Sequence, residues 1–399
     1  MFKTKRMPNG KPDSTPAILQ IVPSLDTGGA ERTTIDIARA LSEKGMRALV
    51  VSEGGRLKAE LTAVGGELIP LPVASKMPLT ILRNAFAIAN LIRKQNVVLV
   101  HARSRAPAWS ALIAARRTNI PFVTTYHGIY NASGRLKRWY NSVMARGDAV
   151  IANSQWTARH ILSTYAFEPK QLTVIPRGLD LQSFDPSAVG PERIKALRDS
   201  WHANERERVV LFPGRLTRWK GHFVFLHALA RLKDDGRLPQ GLHAVIAGDA
   251  QGRDRYAHEL KAMIVEARLD EFVTIADHIT DMPAAYLAAD IVVSASTDPE
   301  AFGRVPAEAA AMGRTVIATD HGGARETVVR GETGLLVKPN SRRALADALR
   351  DLLARPPVEL AAMGEKGRAH ILANYTVERM CAATLDLYQT LIEQRGKEQ

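Results

Sequence analysis

Short apolar runs of strand length recur along this chain, and each is followed by a longer stretch whose apolar residues keep helical spacing. That alternation confines it to parallel α/β layers, because a strand followed by a helix returns to its sheet in the same direction. The first series of runs is Ile18–Val22, Ala48–Val51, Val97–Val100, Phe122–Thr125, Ala149–Ala152 and Thr173–Ile175. The pattern then restarts with Val209–Phe212, Ala244–Ala247, Val273–Ile275, Ile291–Val293, Thr315–Ala318 and Leu335–Val337. With 399 residues, the chain exceeds the roughly 250–300 at which a single core stops growing. Two series therefore mean two domains. The stretch Phe184–Pro191, with two prolines and a glycine, marks a linker, and we expect domains over 1–185 and 186–375. A closing helix over 376–399 puts Val377, Met380, Cys381, Leu385, Tyr388 and Leu391 on one face, which needs a surface to cover.

The N-terminal basic residues Lys3, Lys5 and Arg6 are not followed by an apolar stretch of signal-peptide length, which argues against secretion. The densest apolar segment, Ala106–Ala115, is followed by Arg116 and Arg117 and falls short of the roughly 20 residues of a membrane span. The lone Cys381 rules out an internal disulfide and fits a reducing cytosol. Through residue 185 there are 25 Lys or Arg against 12 Asp or Glu, and beyond it 29 against 29. The whole net charge of +13 thus belongs to the first half, a field that favours a large anionic partner, nucleic acid or an acidic membrane surface.

Three loops carry the chemistry. Ser24-Leu-Asp-Thr-Gly-Gly-Ala-Glu31 runs from the first strand into a helical pattern, so Gly28 and Gly29 sit where backbone N–H groups suit a phosphate. A tight turn explains the same pair without a ligand, and the loop lacks the dinucleotide fingerprint. The segment Pro213-Gly-Arg-Leu-Thr-Arg-Trp-Lys-Gly221 follows the first strand of the second half, at the sheet edge where open α/β folds bind ligands. There Arg215 offers a fork of donors and Lys220 a compact charge, a combination suited to a diphosphate. In Glu300-Ala-Phe-Gly-Arg-Val-Pro-Ala-Glu308, Pro306 fits a first helical turn and Gly313 a stop. Glu300 is then in the loop and Glu308 enters the helix.

These motifs, together with Tyr126-His-Gly128 and His321-Gly-Gly323, resemble the large family of retaining GT-B glycosyltransferases, which includes glycogen-synthase-like, mannosyl- and glucosyltransferases, over residues 17 to 392. The resemblance implies two Rossmann-like domains facing across a cleft, with the C-terminal helix crossing back to the first. It also implies that Arg215 and Lys220 hold the donor diphosphate, as Gly28 and Gly29 help to do, while Glu308 takes the ribose hydroxyls and Glu300 the transferred sugar. The backbone around Phe302 and Gly303 supports phosphates and sugar, and His127 approaches the reacting centre. Residues 276–282 occupy the place of the family's nucleobase contact, with His278 and Thr280 as candidates, yet lack the glycine often found there.

No Asp-x-Asp pair occurs, so we expect metal-independent transfer without a cofactor, Arg215, Lys220 and helix N-termini supplying the positive charge. An epimerase or phosphorylase on the same fold, or a basic nucleic-acid binder, are the rival readings. An epimerase would convert nucleotide sugar without an acceptor, and charge alone accounts for neither glutamate. The segments Arg103–Trp109 and Arg135–Tyr140 interleave basic with aromatic residues, as suits peripheral docking on an anionic membrane. The segments around Arg103–Trp109 and Tyr126–Tyr140 are similar to glycosyltransferases of lipopolysaccharide core assembly, which implies a lipid-linked or envelope glycan acceptor at the inner face of the cytoplasmic membrane.

Overall fold

The computed structural model describes residues 15–26, 28–130, 134–165, 169–276 and 278–397. The chain divides into two compact units, Met1–Gly178 with Val377–Gln399, and Leu179–Thr376.

The first unit is built on β1 (Ala17–Ile21), β2 (Arg47–Ser52), β3 (Gly66–Pro70), β4 (Val97–Ala102), β5 (Phe122–Tyr126), β6 (Ala149–Ala152) and β7 (Leu172–Val174). They form one sheet in the order β3-β2-β1-β4-β5-β6-β7. All its neighbouring pairs are parallel, with Leu19 opposite Leu49 on one side and Val100 on the other. Strand β3 is missing from the apolar runs of the sequence. It is the outermost strand, Gly66 is its only buried residue, and an edge strand wet along most of its length carries no hydrophobic signal.

The second unit repeats the plan with β8 (Arg208–Pro213), β9 (Leu242–Ala247), β10 (Val273–Ala276), β11 (Ile291–Ser294), β12 (Thr315–Thr319) and β13 (Gly334–Val337). Their order is β10-β9-β8-β11-β12-β13, again parallel throughout. Both orders are doubly wound. The connections reverse direction between β1 and β4 in one sheet and between β8 and β11 in the other, and ligands bind in the crevice outside such a switch point.

Helices cover both faces of each sheet. Phe212, Phe225, Leu260 and Leu349 belong to the core on one face of the second sheet, and Trp201, Val209, Tyr286 and Val316 to that on the other. In the first unit Leu19, Val100 and Phe122 lie in one core. Ile18, Val50 and Ile35 lie in the other, where Met380, Cys381, Leu387, Tyr388 and Leu391 of the C-terminal helix Val377–Lys397 join them. Cys381 is thus a core side chain whose thiol burial pushes up to about 12. Phe184 and Val189 pack on the second unit's core, while Leu179 donates its N–H to the Tyr375 carbonyl at 2.8 Å. The chain therefore enters the second unit before the proline-rich stretch that the sequence marks as a linker. Among the described residues no helix is long and apolar enough to cross a membrane.

Candidate active site

Strand β8 ends at Pro213, and Arg218–Lys220 form one turn of 3-10 helix before Gly221 opens the helix His222–Asp234. Gly221 has φ +86°, and a β-carbon there would lie 2.0 Å from the Ala295 carbonyl oxygen just beyond β11. Only glycine lets the two loops come this close. Thr297 then donates its backbone N–H to the Trp219 carbonyl at 2.7 Å, which fastens together the loops on either side of the switch point. Across that seam Lys220 Nζ donates to Glu300 Oε1 at 2.8 Å, and the two side chains keep only 11% and 17% of their surface exposed. Ser296 Oγ donates to the same carboxylate oxygen at 2.5 Å. The Lys220 ammonium also lies 4.5 Å from the centroid of the Trp219 ring.

The Glu300 loop is held from behind by backbone. Gly323 donates its N–H to the Glu300 carbonyl at 2.8 Å. Gly322 has φ +62° and comes so near that a β-carbon would sit 2.3 Å from that same oxygen. His321 Nε2 bonds to the Ser296 carbonyl oxygen at 2.8 Å. Glu300, Ser296, Gly303, Thr319 and His321 line one small pocket at the carboxyl ends of β11 and β12. Gly303, at φ +82°, is the N-cap of the helix Arg304–Ala311. The Phe302 ring is a core side chain, 5.8 Å from the Tyr375 ring centroid, and Phe302 is not among the residues that line this pocket.

Glu308 lies in that helix and is 5% exposed. Its Oε2 accepts from the Tyr286 hydroxyl at 2.8 Å and its Oε1 from Arg304 Nε at 2.8 Å. Burial first, and then the Glu308 charge, raise the Tyr286 phenol well above its ordinary pKa, so it stays a donor. Arg215 is exposed, and its guanidinium makes no hydrogen bond among the described residues. A cation held at a strand end without a protein partner can take a phosphate oxygen.

In the first unit Gly28 is the N-cap and Gly29 the first residue of the helix Gly29–Glu43, which starts earlier than the helical pattern of the sequence. His127 follows β5 directly, and its Nε2 is buried with no hydrogen-bond partner. Burial, then the Arg103 and Arg177 cations, hold its imidazole well below the usual range and so neutral. His278 and Thr280 line a different pocket of about 400 Å³ beside the edge strand β10, together with Trp201 and Thr274. The structure does not bring them into the pocket of Glu300.

One expectation is corrected. Arg103 is not part of a basic surface: it is 2% exposed and both its Nε and Nη2 donate to Gln20 Oε1, at 3.0 and 2.6 Å. Trp109 is half-buried, its indole N–H donating to the Tyr140 carbonyl at 3.1 Å and its ring stacked on Trp139. Ser296 and Tyr286 went unnoticed in the sequence because nothing in their spacing ties them to Glu300 or Glu308. Arg304 was not singled out either, although its place four residues before Glu308 on one helix face is a signal that could have found it. Among the described residues no cluster of three or more His, Cys, Asp or Glu could hold a metal ion.

Comparison with known proteins bears on this geometry. Residues 27–183 match the family model described as Glycosyltransferase Family 4, and residues 193–370 the model described as Glycosyl transferases group 1. A D-inositol 3-phosphate glycosyltransferase of Xylanimonas cellulosilytica is 30% identical over 74% of this chain and 73% of its own. The lipopolysaccharide core biosynthesis mannosyltransferase LpcC of Rhizobium leguminosarum bv. viciae is 29% identical over 73% of this chain and 78% of its own. Among solved structures, a glycosyltransferase from Rickettsia africae is similar with a TM-score of 0.86 and 35% identity, covering 95% of this chain and 99% of that one. Anabaena HepE in complex with UDP-glucose matches with a TM-score of 0.77 and 27% identity, over 93% and 99%. With two doubly wound units, each matched by its own family model, and a glycosyltransferase relative 30% identical over about three quarters of both chains, this chain belongs to the GT-B glycosyltransferases of the group 1 and family 4 type.

Proposed function

We propose that the protein transfers a hexose from a nucleotide diphosphosugar, with retention of anomeric configuration and without a metal ion, to an envelope glycan of lipopolysaccharide-core type at the inner face of the cytoplasmic membrane. The observation that carries the reading is the Lys220–Glu300 pair across the β8/β11 switch point, which sets a cation for a phosphate beside a carboxylate for sugar hydroxyls. Arg215 and Lys220 take the diphosphate, with Gly28 and Gly29 contributing backbone N–H groups. Glu308 takes the ribose, and Glu300 with the backbone of Phe302 and Gly303 takes the sugar. His127, neutral and with an open Nε2, accepts a hydrogen bond at the reacting sugar. His278 and Thr280 are assigned to the nucleobase, through the pocket beside β10.

Departure of the nucleoside diphosphate leaves positive charge on the sugar, and Arg215 and Lys220 stabilise the negative charge that develops on the leaving phosphate. The anomeric C–O bond to phosphate breaks and the acceptor oxygen bonds to the same face. The acceptor's proton passes to the leaving phosphate oxygen. Two carboxylates would otherwise invite double displacement, but both are engaged as ligands in this arrangement and no covalent adduct is needed. The LpcC relative supports a lipopolysaccharide-core acceptor, and the HepE complex a UDP-sugar.

Membrane docking is supported by the Arg135–Tyr140 half of the expected docking segments, and by exposed residues the sequence reading did not single out. Met77, Leu79 (80% exposed), Leu82 and Phe86 stand out at the start of the helix Pro78–Lys94, and Leu136 (85%) and Trp139 on the helix Arg135–Asn141. Exposed Lys76, Arg83, Arg135, Lys137 and Arg138 surround them. Such basic residues contribute about 1 kcal/mol each near an anionic leaflet, beside shallow apolar insertion.

The experiment is to screen UDP-, GDP- and ADP-sugars for thermal stabilisation, then to follow transfer from the stabilising donor to lipopolysaccharide-core acceptor by NMR, with and without EDTA. Retained anomeric configuration unaffected by EDTA is expected. Donor turnover without acceptor, an inverted product or strict metal dependence would overturn the reading. Sedimentation with anionic but not zwitterionic liposomes, weakened by salt, is the corresponding result for docking.

A further inference from the structure

Among the described residues, every hydrogen bond to the Glu300 carboxylate falls on one of its two oxygens. Lys220 Nζ and Ser296 Oγ both donate to Oε1, at 2.8 and 2.5 Å, and none reaches Oε2. An ammonium on a flexible stem is a point charge with rotating donors, which tolerates many carboxylate orientations. A serine hydroxyl stands one carbon from the backbone, so its direction is set by how firmly that backbone is held.

Ser296 belongs to the stretch 295–300, which forms neither helix nor strand, yet it is buried. Its carbonyl is gripped from β12. Thr319 Oγ1, on the last residue of that strand, donates to the Ser296 carbonyl at 3.0 Å, and His321 Nε2 meets the same oxygen at 2.8 Å. A carbonyl only accepts, so Nε2 must carry a hydrogen. Thr319 Oγ1 gives its own proton to that carbonyl, and therefore also meets Nε2 as an acceptor, at 3.0 Å. The other polar group of the Ser296–Thr297 peptide is the Thr297 N–H, which donates to the Trp219 carbonyl at 2.7 Å. One donor would satisfy a buried carbonyl. Two donors on one side and a fixed acceptor on the other clamp the whole peptide, and with it the hydroxyl that aims at Glu300.

The His321-Gly-Gly323 motif thereby gains a role for its histidine. We infer that His321 and Ser296 are positioning residues for Glu300: His321, in the tautomer that carries hydrogen on Nε2, holds Ser296, and Ser296 commits Oε1 to the protein so that Oε2 is left for a hydroxyl of the transferred sugar. The inference rests on the reading of Glu300 as the sugar ligand. The hydrogen-bond relay through Ser296 is its own content.

The test is calorimetric titration of the full chain with UDP-glucose, GDP-mannose and ADP-glucose, each set against its free nucleoside diphosphate, which separates sugar contacts from nucleotide contacts. On the nucleotide sugar that wild type binds most tightly, Ser296→Ala and His321→Ala should each weaken affinity about fivefold or more, as for one net hydrogen bond, and leave the free diphosphate within about twofold. His321→Gln, whose amide nitrogen reaches the Nε2 position, should restore affinity. His321→Asn, whose nitrogen reaches only the Nδ1 position, should not. The double variant Ser296→Ala/His321→Ala should bind as Ser296→Ala does, because His321 acts through Ser296. Should His321→Ala not fold, the Gln and Asn variants decide. Equal behaviour of Gln and Asn, additive losses in the double variant, or equal weakening of sugar nucleotide and free diphosphate overturns the relay. Glu300→Gln is the separate control: if it does not weaken the nucleotide sugar more than the free diphosphate, or if wild type binds none of the three donors, the sugar reading of Glu300 falls and the inference falls with it. A selective loss in Glu300→Gln without one in Ser296→Ala and His321→Ala strikes the positioning role alone.

Discussion

Replacing Lys220 with Met removes the ammonium that joins the two loops of the second unit while keeping most of the stem. The Lys220 and Glu300 side chains are 11% and 17% exposed, so the pair lies between surface ion pairs, worth up to about 1 kcal/mol, and buried ones whose breakage costs about 3–5 kcal/mol. Glu300 keeps its bond from Ser296, so its charge is not stranded, and a charge-assisted hydrogen bond is worth about 1.5–3 kcal/mol. We expect Lys220→Met to cost about 2 kcal/mol. In a unit of this size that lowers the melting midpoint by roughly 4–8 °C. Glu300→Gln should cost less, because Lys220 still lies over the Trp219 ring, a contact that retains about 0.5–1 kcal/mol or more. The double variant should then be no less stable than Lys220→Met alone. Scanning calorimetry on the four proteins, following the transition that moves in the single variants, closes the cycle. Additive losses, within the roughly 0.5 kcal/mol scatter of independent sites, would show that the two side chains do not act as a pair and would refute the reasoning.

Gly322→Ala should weaken donor binding by more than tenfold, since the added methyl meets the Glu300 carbonyl oxygen at 2.3 Å from a φ of +62°; isothermal titration with donor nucleotide sugar checks this, and unchanged affinity would detach the His321–Gly323 turn from the site. Tyr286→Phe leaves Glu308 Oε2 without its 2.8 Å donor, so we expect a loss of about 1.5–3 kcal/mol, read as a raised donor KM together with a lower Tm, while Arg304 still holds Oε1. For His222, burial lowers the folded-state pKa from 6.5 to about 4. The unfolded chain therefore takes up a proton first as pH falls, so the stability this residue contributes is complete above about 6.5 and is lost on the way down through pH 4, by about 3 kcal/mol in all. Urea unfolding of the second unit at pH 7 and pH 4.5 should show that loss in wild type and a shallower one in His222→Asn; equal slopes would remove His222 from the acid response.

How much of the site was legible before the structure depends on how far apart its parts lie. Glu308 and Arg304 sit four residues apart on one helix, and the glycines at the start of Gly29–Glu43 mark a strand-to-helix turn, so local spacing exposes them. Lys220 and Glu300 are separated by 80 positions. Each was singled out from its own loop, but their contact was not visible, because it exists only through the placing of β11 beside β8. Tyr286 and Ser296 carry no pattern at all and acquire a role from what folds against them.

The sequence by itself determined the two parallel α/β series, the strand ends on which the chemistry stands, the amphipathic closing helix and the uneven charge, since all of these are periodicities or compositions along the chain. Tertiary structure decided the strand order, and with it the switch points at β1/β4 and β8/β11. It revealed β3, an edge strand whose solvated residues leave no apolar run. It also reversed the reading of Arg103, which composition counts as surface charge. Pairing β4 with β1 sets Arg103 over Gln20 in the unit's interior, and burial, unlike charge, is a property of neighbours that the local sequence does not name.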